Sequence, residues 1–180
     1  MASFQTLRLD AELDESATIA LGRASEAAGG SVRTRFSQRF CRSYAAIESA
    51  RPVPTESLLH AVPSATLFDD AVIAIAIEPT PTDALPSLAE ALGGRGGPGG
   101  VRSAQRIGDA LIVEFSARQN PARFVLDIVD VELRRYSGHR RVELLTPVPA
   151  EWLARMAAEG LSAPEIDESR ILESLLGRDV

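Results

Sequence analysis

The sequence VRT at residues 32–34 is followed 69 positions later by VRS at residues 101–103. The segments around these two tripeptides carry similar patterns. In both segments a strand pattern and then a helix pattern ending in two glycines precede the tripeptide, and a second strand and a second helix follow it. The order strand, helix, strand, strand, helix therefore occurs twice, which predicts two consecutive α+β units.

The first of these units shows clear signals for its boundaries. Apolar and polar residues alternate at 7–13, which predicts a strand, and Asp14 is positioned as the N-cap of an alanine-rich helix. Glycines at 29–30 end that helix, and a pair of strands is predicted over 32–47. A proline-containing segment then leads to Thr55, the predicted N-cap of a short second helix.

The second unit opens with an unbroken apolar run at 71–78, which predicts a buried strand. Apolar residues at helical spacing follow at 85–92, and glycines end that helix. A central strand is predicted at 110–115, and Asn120 with the proline after it begins a second helix. A last strand at 141–145 completes the unit, so its full predicted order is βαββαβ.

Length and composition are compatible with this organisation. A chain of 180 residues with 45% hydrophobic residues can bury two small cores. One cysteine excludes an internal disulfide framework and favours the cytoplasm, and we expect neither a signal peptide nor a membrane span. All 19 basic residues are arginine, a composition that a high-GC bacterial genome explains.

The second unit, from the apolar strand at 72–77 to the strand at 141–145, resembles a heavy-metal-associated domain of ferredoxin-like βαββαβ topology. Residues 4–70 resemble it more loosely. The resemblance implies an α+β protein with two tandem ferredoxin-like units, at 1–70 and 71–148, and we expect the remaining residues 149–180 to form a helical tail.

Metal binding in that family depends on a Cys-x-x-Cys pair between the first strand and the first helix. The corresponding loops, at 10–16 and 79–83, contain no cysteine. Because soft thiolates select Cu(I) at such sites, we expect neither a metal site nor a cofactor.

A second resemblance concerns residues 147–152, which read PVPAEW and are followed by Met156. This ending is similar to that of tandem bacterial-microcompartment shell proteins, and it implies a shell component as an alternative. The Gly-Asp-Val that this family has at the start of its second helix is replaced here by QNP at 119–121.

Few residues suggest catalysis. His60 and His139 are the only histidines, and nothing in their spacing brings them to Cys41, which we expect to be packed within a strand. Asp127 and Asp130 share one side of a predicted helix, where such a pair is more often solvated than bound to a cation. We therefore predict no catalytic residue and no enzymatic activity.

The hairpin at 32–44 is the main candidate for binding a nucleic acid, because cations and aromatic side chains alternate along it. A sheet of this topology with exposed aromatic residues binds single-stranded RNA in one large class of modules. The same alternation also fits aromatic residues buried against helices, and the net charge of the chain is −6. The candidate contacts are Arg33, Arg35, Arg39, Arg42, Phe36 and Phe40.

The acidic tail carries the candidate residues for protein interaction. Trp152 and Met156 lie on one apolar stripe, and Leu172 and Leu175 lie on a later one. These stripes fit either a cover for an open sheet face or a docking surface for a second subunit. The sequence thus predicts a non-catalytic protein-interaction or assembly component that binds another protein or a second copy of itself.

Overall fold

The structure is a computed structural model that describes residues 1–78, 100–116 and 141–147. Within these ranges the chain is α+β, with two helices and two four-stranded antiparallel sheets. The elements are β1 (Ser3–Leu9), α1 (Glu15–Ala27), β2 (Gly30–Ser37), β3 (Arg42–Ser49), α2 (Thr55–Ala61), β4 (Thr66–Phe68), β5 (Val72–Glu78), β6 (Val101–Ile107), β7 (Ala110–Ser116) and β8 (Arg141–Leu144).

The described residues fall into two compact units. The first contains residues 1–72 and 145–147, and the second contains 73–78, 100–116 and 141–144. The strand order is β2-β3-β1-β4 in the first sheet and β6-β7-β5-β8 in the second. The two sheets therefore have the same order of strands, which is compatible with the predicted ferredoxin-like units.

The first strand ends four residues earlier than the alternating pattern at 7–13 predicted. The backbone after β1 instead forms a loop that is held by the side chain of Ser43. Its Oγ donates a hydrogen bond to the carbonyl oxygen of Ala11 at 2.7 Å and accepts one from the amide of Leu13 at 3.2 Å. These long-range bonds satisfy the loop backbone in place of a strand partner.

Helix α1 begins and ends at the predicted signals. The side chain of Asp14 accepts a hydrogen bond from the amide of Ala17 at 2.7 Å, which confirms Asp14 as the N-cap. The helix ends at Ala27, and Gly29 follows with a φ of +76°. Glycine adopts this left-handed conformation without the steric cost that a side chain brings, so it ends the helix here.

The predicted N-cap of the second helix is wrong by one residue. Pro54 is the N-cap and makes no side-chain capping hydrogen bond, while Thr55 is already helical. The carbonyl oxygen of Pro54 accepts from the amides of Ser57 and Leu58, at 3.0 and 3.2 Å. The extended backbone of Pro54, with ψ at 134°, sets the helix boundary.

Strand β4 is the one element of the first unit that was not predicted from the sequence. It has three residues and pairs with β1 from Thr6 opposite Phe68 to Arg8 opposite Thr66. A strand of this length is too short to produce a recognisable alternating pattern. Its presence completes a βαββαβ order in the first unit.

The second sheet contains the strands that were predicted around 71–78, 110–115 and 141–145. From Val72 to Ile77 and from Ala110 to Ser116 every residue is buried, so both faces of these two strands are covered. The predicted helices at 85–92 and after Asn120, and the predicted tail, lie outside the described residues. In the part of the chain that is described, no helix is long and apolar enough to cross a membrane.

The hydrophobic core of the first unit lies between one face of its sheet and the two helices. Side chains of β1 and β3 supply the sheet side, and α1, α2 and the segments next to them supply the other. The buried members are Leu7, Leu21, Ala28, Ala45, Ile47, Val53, Leu58 and Val62.

Gly30, at the start of β2, has no room for a side chain. A Cβ built there lies 2.5 Å from the Cα of Ser49 and closer still to the carbonyl oxygen of Glu48. We expect Gly30→Ala to lower the free energy of unfolding by about 1–3 kcal/mol, because β2 must move away from β3. Urea denaturation followed by circular dichroism measures this change.

The matched control is Gly22→Ala in α1, where a Cβ meets nothing within 4 Å. Alanine favours a helix interior over glycine by about 1 kcal/mol, so this variant is expected to be more stable than the wild type. If β2 lies as close to β3 as the structure shows, the free energy of unfolding falls in Gly30→Ala and rises in Gly22→Ala. An equal change in both variants contradicts this close approach.

Candidate interaction surface

The two faces of the first sheet differ in chemistry. Leu7, Ala45 and Ile47 face the helices, so the residues that alternate with them along the strands lie on the opposite face. The register places Arg33 opposite Ala46 and Arg35 opposite Tyr44 on that second face. Two arginines of β2 and the tyrosine of β3 therefore share the face away from the helices.

The centre of this second face is not accessible to solvent. Tyr44 is 0% exposed, Phe4 is 8% exposed, and Thr6 is buried as well. A base stacks on an aromatic ring only where the face of the ring can be reached. Tyr44 and Phe4 do not offer such a surface in this conformation.

The two phenylalanines of the predicted nucleic-acid hairpin lie apart from that face. Phe36 pairs with Ser43 on the helix side of the sheet and is 36% exposed. Phe40 lies in the turn between β2 and β3 and is buried. The alternation of cations and aromatic residues in the sequence therefore does not produce one mixed surface.

The four arginines of the hairpin have different environments. Arg33 and Arg39 are exposed and Arg35 is half-buried. The guanidinium carbon of Arg39 lies 5.5 Å from the centroid of the Phe40 ring, a distance that allows a cation–π interaction. Arg42 is only 4% exposed, and its Nε lies 3.2 Å from Oδ1 of Asp10.

Arg42 thus contributes to the attachment of the loop after β1 and not to an exposed basic patch. Asp10 is itself 73% exposed, so solvent screens its charge and the pair adds little stability through Coulomb attraction alone. The exposed positive charge on this hairpin resides chiefly on Arg33 and Arg39.

Cys41 lies on the surface, and its predicted packing within a strand is wrong. Residues 38–41 form the turn between β2 and β3, and Cys41 has a φ of +49°. Its side chain is exposed and forms no disulfide. His60 is exposed on α2, whereas His139, Asp127 and Asp130 lie outside the described residues.

Strand β2 forms an edge of the first sheet. It is eight residues long, and β3 is its neighbour in the described sheet. An edge strand directs a row of backbone N–H and C=O groups outward, where another strand can pair with them. Its exposed side chains are those of Ser31, Arg33, Thr34 and Phe36.

Strand β6, at Val101–Ile107, occupies the same position at the edge of the second sheet. The similar tripeptides at 32–34 and 101–103 therefore lie on equivalent edge strands. Arg102, Ala104 and Gln105 of β6 are exposed. The most visible repeat in the sequence thus marks one edge strand in each of the two sheets.

The second sheet contains a buried carboxylate that the sequence analysis did not single out. Glu114 is fully buried in β7, and its Oε1 accepts a hydrogen bond from the Oγ of Ser103 on β6 at 2.6 Å. A shift in register between Val101 and Ser103 brings this serine opposite Glu114. A glutamate within the apolar sequence ALIVEF at 110–115 was the available signal.

The described ranges contain no group of three or more His, Cys, Asp or Glu residues arranged to hold a metal ion. The residues predicted for protein interaction, Trp152, Met156, Leu172 and Leu175, lie outside these ranges. The candidate surface within these ranges is therefore the edge formed by β2, where Arg33 and Phe36 are exposed.

Comparison with known proteins does not identify a family. No family model matches the chain, and no curated protein matches it. One similar solved structure is the crystal structure of an unknown protein from Galdieria sulphuraria, which has 10% sequence identity and a TM-score of 0.36. The match covers 82% of this chain and 98% of that one, and its TM-score is too low to support a shared fold.

Proposed function

We propose that the chain acts without catalysis in the cytoplasm, as a protein-interaction or assembly component built from two tandem ferredoxin-like units. The common strand order of the two sheets supports the tandem arrangement. So does the spacing of β1 and β5, which begin 69 residues apart, the same distance as the repeated tripeptides.

The observation that carries the interaction role is the contrast between the centre of the first sheet and its edge. Phe4, Thr6 and Tyr44, at the centre of the face away from the helices, are buried, whereas β2 exposes side chains on both faces. A small-molecule site is concave and gathers a few polar groups at one point. An exposed edge strand instead favours pairing with another polypeptide.

The native mass of the purified protein tests this role. One chain has a mass of 19.3 kDa, and we expect light scattering to give a defined multiple of it that persists at moderate salt. A monomer at every concentration excludes self-assembly as the principal role. The absorbance ratio recorded in the same run detects bound nucleic acid.

Nucleic-acid binding is the second candidate, because Arg33 and Arg39 are exposed on the hairpin that was predicted for it. Binding through these cations alone is electrostatic and falls steeply with salt. Nucleic acid that co-purifies and is released by salt, and that is lost in an Arg33→Glu/Arg39→Glu variant, favours this candidate over the assembly role.

A further inference from the structure

We propose that β2 is a strand-addition site that takes an extended, acidic segment of a partner protein as a fifth strand of the first sheet. This inference rests on the proposed interaction role and gives it a surface and a class of partner. It is carried by the position of β2, by the exposure of its side chains and by their charge.

The length of β2 suits strand addition. Its eight residues are continuous, and the described sheet leaves its outer side without a strand. Main-chain hydrogen bonds along such an edge provide affinity, while the alternate side chains of the added strand provide specificity. Successive side chains of an added strand therefore contact the side chains on one face of β2 and then those on the other.

The two faces of β2 require different side chains from the partner. Arg33 and Arg35 lie on one face, and Thr34 and Phe36 lie on the other. Directly opposite residues of neighbouring strands interact, so acidic residues fit the first face and β-branched or apolar residues fit the second. The partner segment therefore alternates Asp or Glu with residues such as Val or Thr.

The charge near β2 favours an acidic partner. Between Ser31 and Tyr44 there is no acidic residue, and three arginines remain once the buried Arg42, which pairs with Asp10, is set aside. Arg39, in the turn that follows β2, extends the positive charge beyond the end of the strand. An acidic segment longer than the strand therefore gains a further contact at the turn.

A second copy of β2 does not fit this edge. Antiparallel pairing of two β2 strands around a twofold axis perpendicular to the sheet puts Arg33 and Arg35 of both copies on the same face. Like charges on directly opposite residues destabilise such pairing. The charge thus selects a different polypeptide over a second β2 strand.

The test uses a fluorescent peptide of sequence Thr-Glu-Val-Glu-Thr-Glu-Val-Glu and the full chain, with binding measured by fluorescence anisotropy. We expect saturable binding to the wild type and about a tenfold loss of affinity in Arg33→Glu, since one attraction becomes a repulsion. Arg23→Glu is the matched control, because Arg23 is exposed on α1 and not on β2, and reversal of its charge is expected to leave affinity unchanged.

Three further probes separate strand addition from other causes. The same peptide with every backbone amide N-methylated keeps its charge but has no N–H group to donate to the ladder, so we expect it not to bind. Hydrogen exchange of the β2 amides is expected to slow when the unmodified peptide is added, whereas the amides of β4 at the other edge are unaffected. A peptide with Lys in place of Glu is expected not to bind.

Several results overturn the proposal. Equal binding of the N-methylated peptide shows a charge contact without strand addition, and unchanged affinity in Arg33→Glu removes β2 from the contact. Tighter binding of single-stranded oligothymidylate than of the peptide, at the same cations, assigns them to nucleic acid. Absence of peptide binding, with aggregation of Arg33→Val, assigns Arg33 to protection of the edge.

Failure of this proposal is distinct from failure of the interaction role. A defined oligomer that ignores the acidic peptide rejects strand addition at β2 but leaves assembly through another surface intact. A monomer that binds the peptide rejects self-assembly and retains the site.

Discussion

Replacement of Leu21 by alanine is expected to lower the free energy of unfolding of the first unit by about 2–5 kcal/mol. Leu21 is 0% exposed and lies on α1 in the cluster that includes Leu7, Ile47 and Leu58. The substitution removes apolar contacts and leaves a cavity between helix and sheet. Since helix and sheet hold each other in place, the cavity is expected to weaken both.

The matched control is Ile19→Ala on the same helix. Ile19 is 47% exposed, and its replacement is expected to change stability by no more than about 0.5 kcal/mol. Urea denaturation followed by circular dichroism compares the two variants with the wild type. Equal losses in Leu21→Ala and Ile19→Ala contradict the assignment of the buried face of α1.

Local signals in the sequence predicted those elements whose structure depends on neighbouring residues. Asp14 caps α1 because its side chain reaches an amide three residues away, and Gly29 follows that helix because it tolerates a positive φ. The apolar run that became β5 was predicted for a similar reason, since a strand buried on both faces needs apolar residues at every position.

Features that depend on distant contacts could not be predicted in this way. The loop after β1 is held by Ser43 and Asp10 is paired with Arg42, both across more than 30 positions of sequence. The alternating pattern at 7–13 extended the predicted strand into this loop, because alternation of apolar and polar residues contains no information about such long-range bonds. Strand β4 exists because β1 offers it an edge, and its three residues carry no periodic signal.

The candidate site also combines features that depend on neighbouring residues with features that depend on distant contacts. Alternation suggested that Phe36, Phe40 and Tyr44 could lie together against the helices with the arginines on the opposite face, and this grouping is wrong. The structure puts Tyr44 beside Arg35 and away from Phe36, so the predicted mixture of arginines and aromatic residues is divided between two faces. Burial of Arg42 likewise depends on contacts that the local sequence does not contain.

The edge of the first sheet is a better candidate for interaction than the centre of its faces. A residue at the centre of a sheet face is covered once another layer packs on it, whereas an edge strand keeps its outward backbone groups until a further strand arrives. The exposed residues of β2 therefore retain a capacity for interaction that Tyr44 has lost. This is why the cations of β2 are more informative about function than the aromatic residues that alternate with them.

Replacement of Gln5 by methionine is expected to lower the free energy of unfolding by about 2–5 kcal/mol. Gln5 is buried in β1, and its amide makes two hydrogen bonds to the backbone of Val53, 48 residues later. Its Nε2 donates to the carbonyl oxygen of Val53 at 3.0 Å, and its Oε1 accepts from the amide of Val53 at 2.9 Å. Methionine fills a similar volume but leaves both backbone groups of Val53 buried without these partners.

The matched control is Gln38→Met, because Gln38 is exposed in the turn between β2 and β3. Its replacement is expected to change stability by no more than about 0.5 kcal/mol. Hydrogen exchange gives a second readout, since the amide of Val53 is expected to exchange faster in Gln5→Met than in either the wild type or Gln38→Met. Equal protection of Val53 in all three proteins contradicts a role for Gln5 in holding the segment before α2 against β1. Since Val53 is also a member of the helix-facing core, loss of these two bonds is expected to loosen α2 as well as the segment itself.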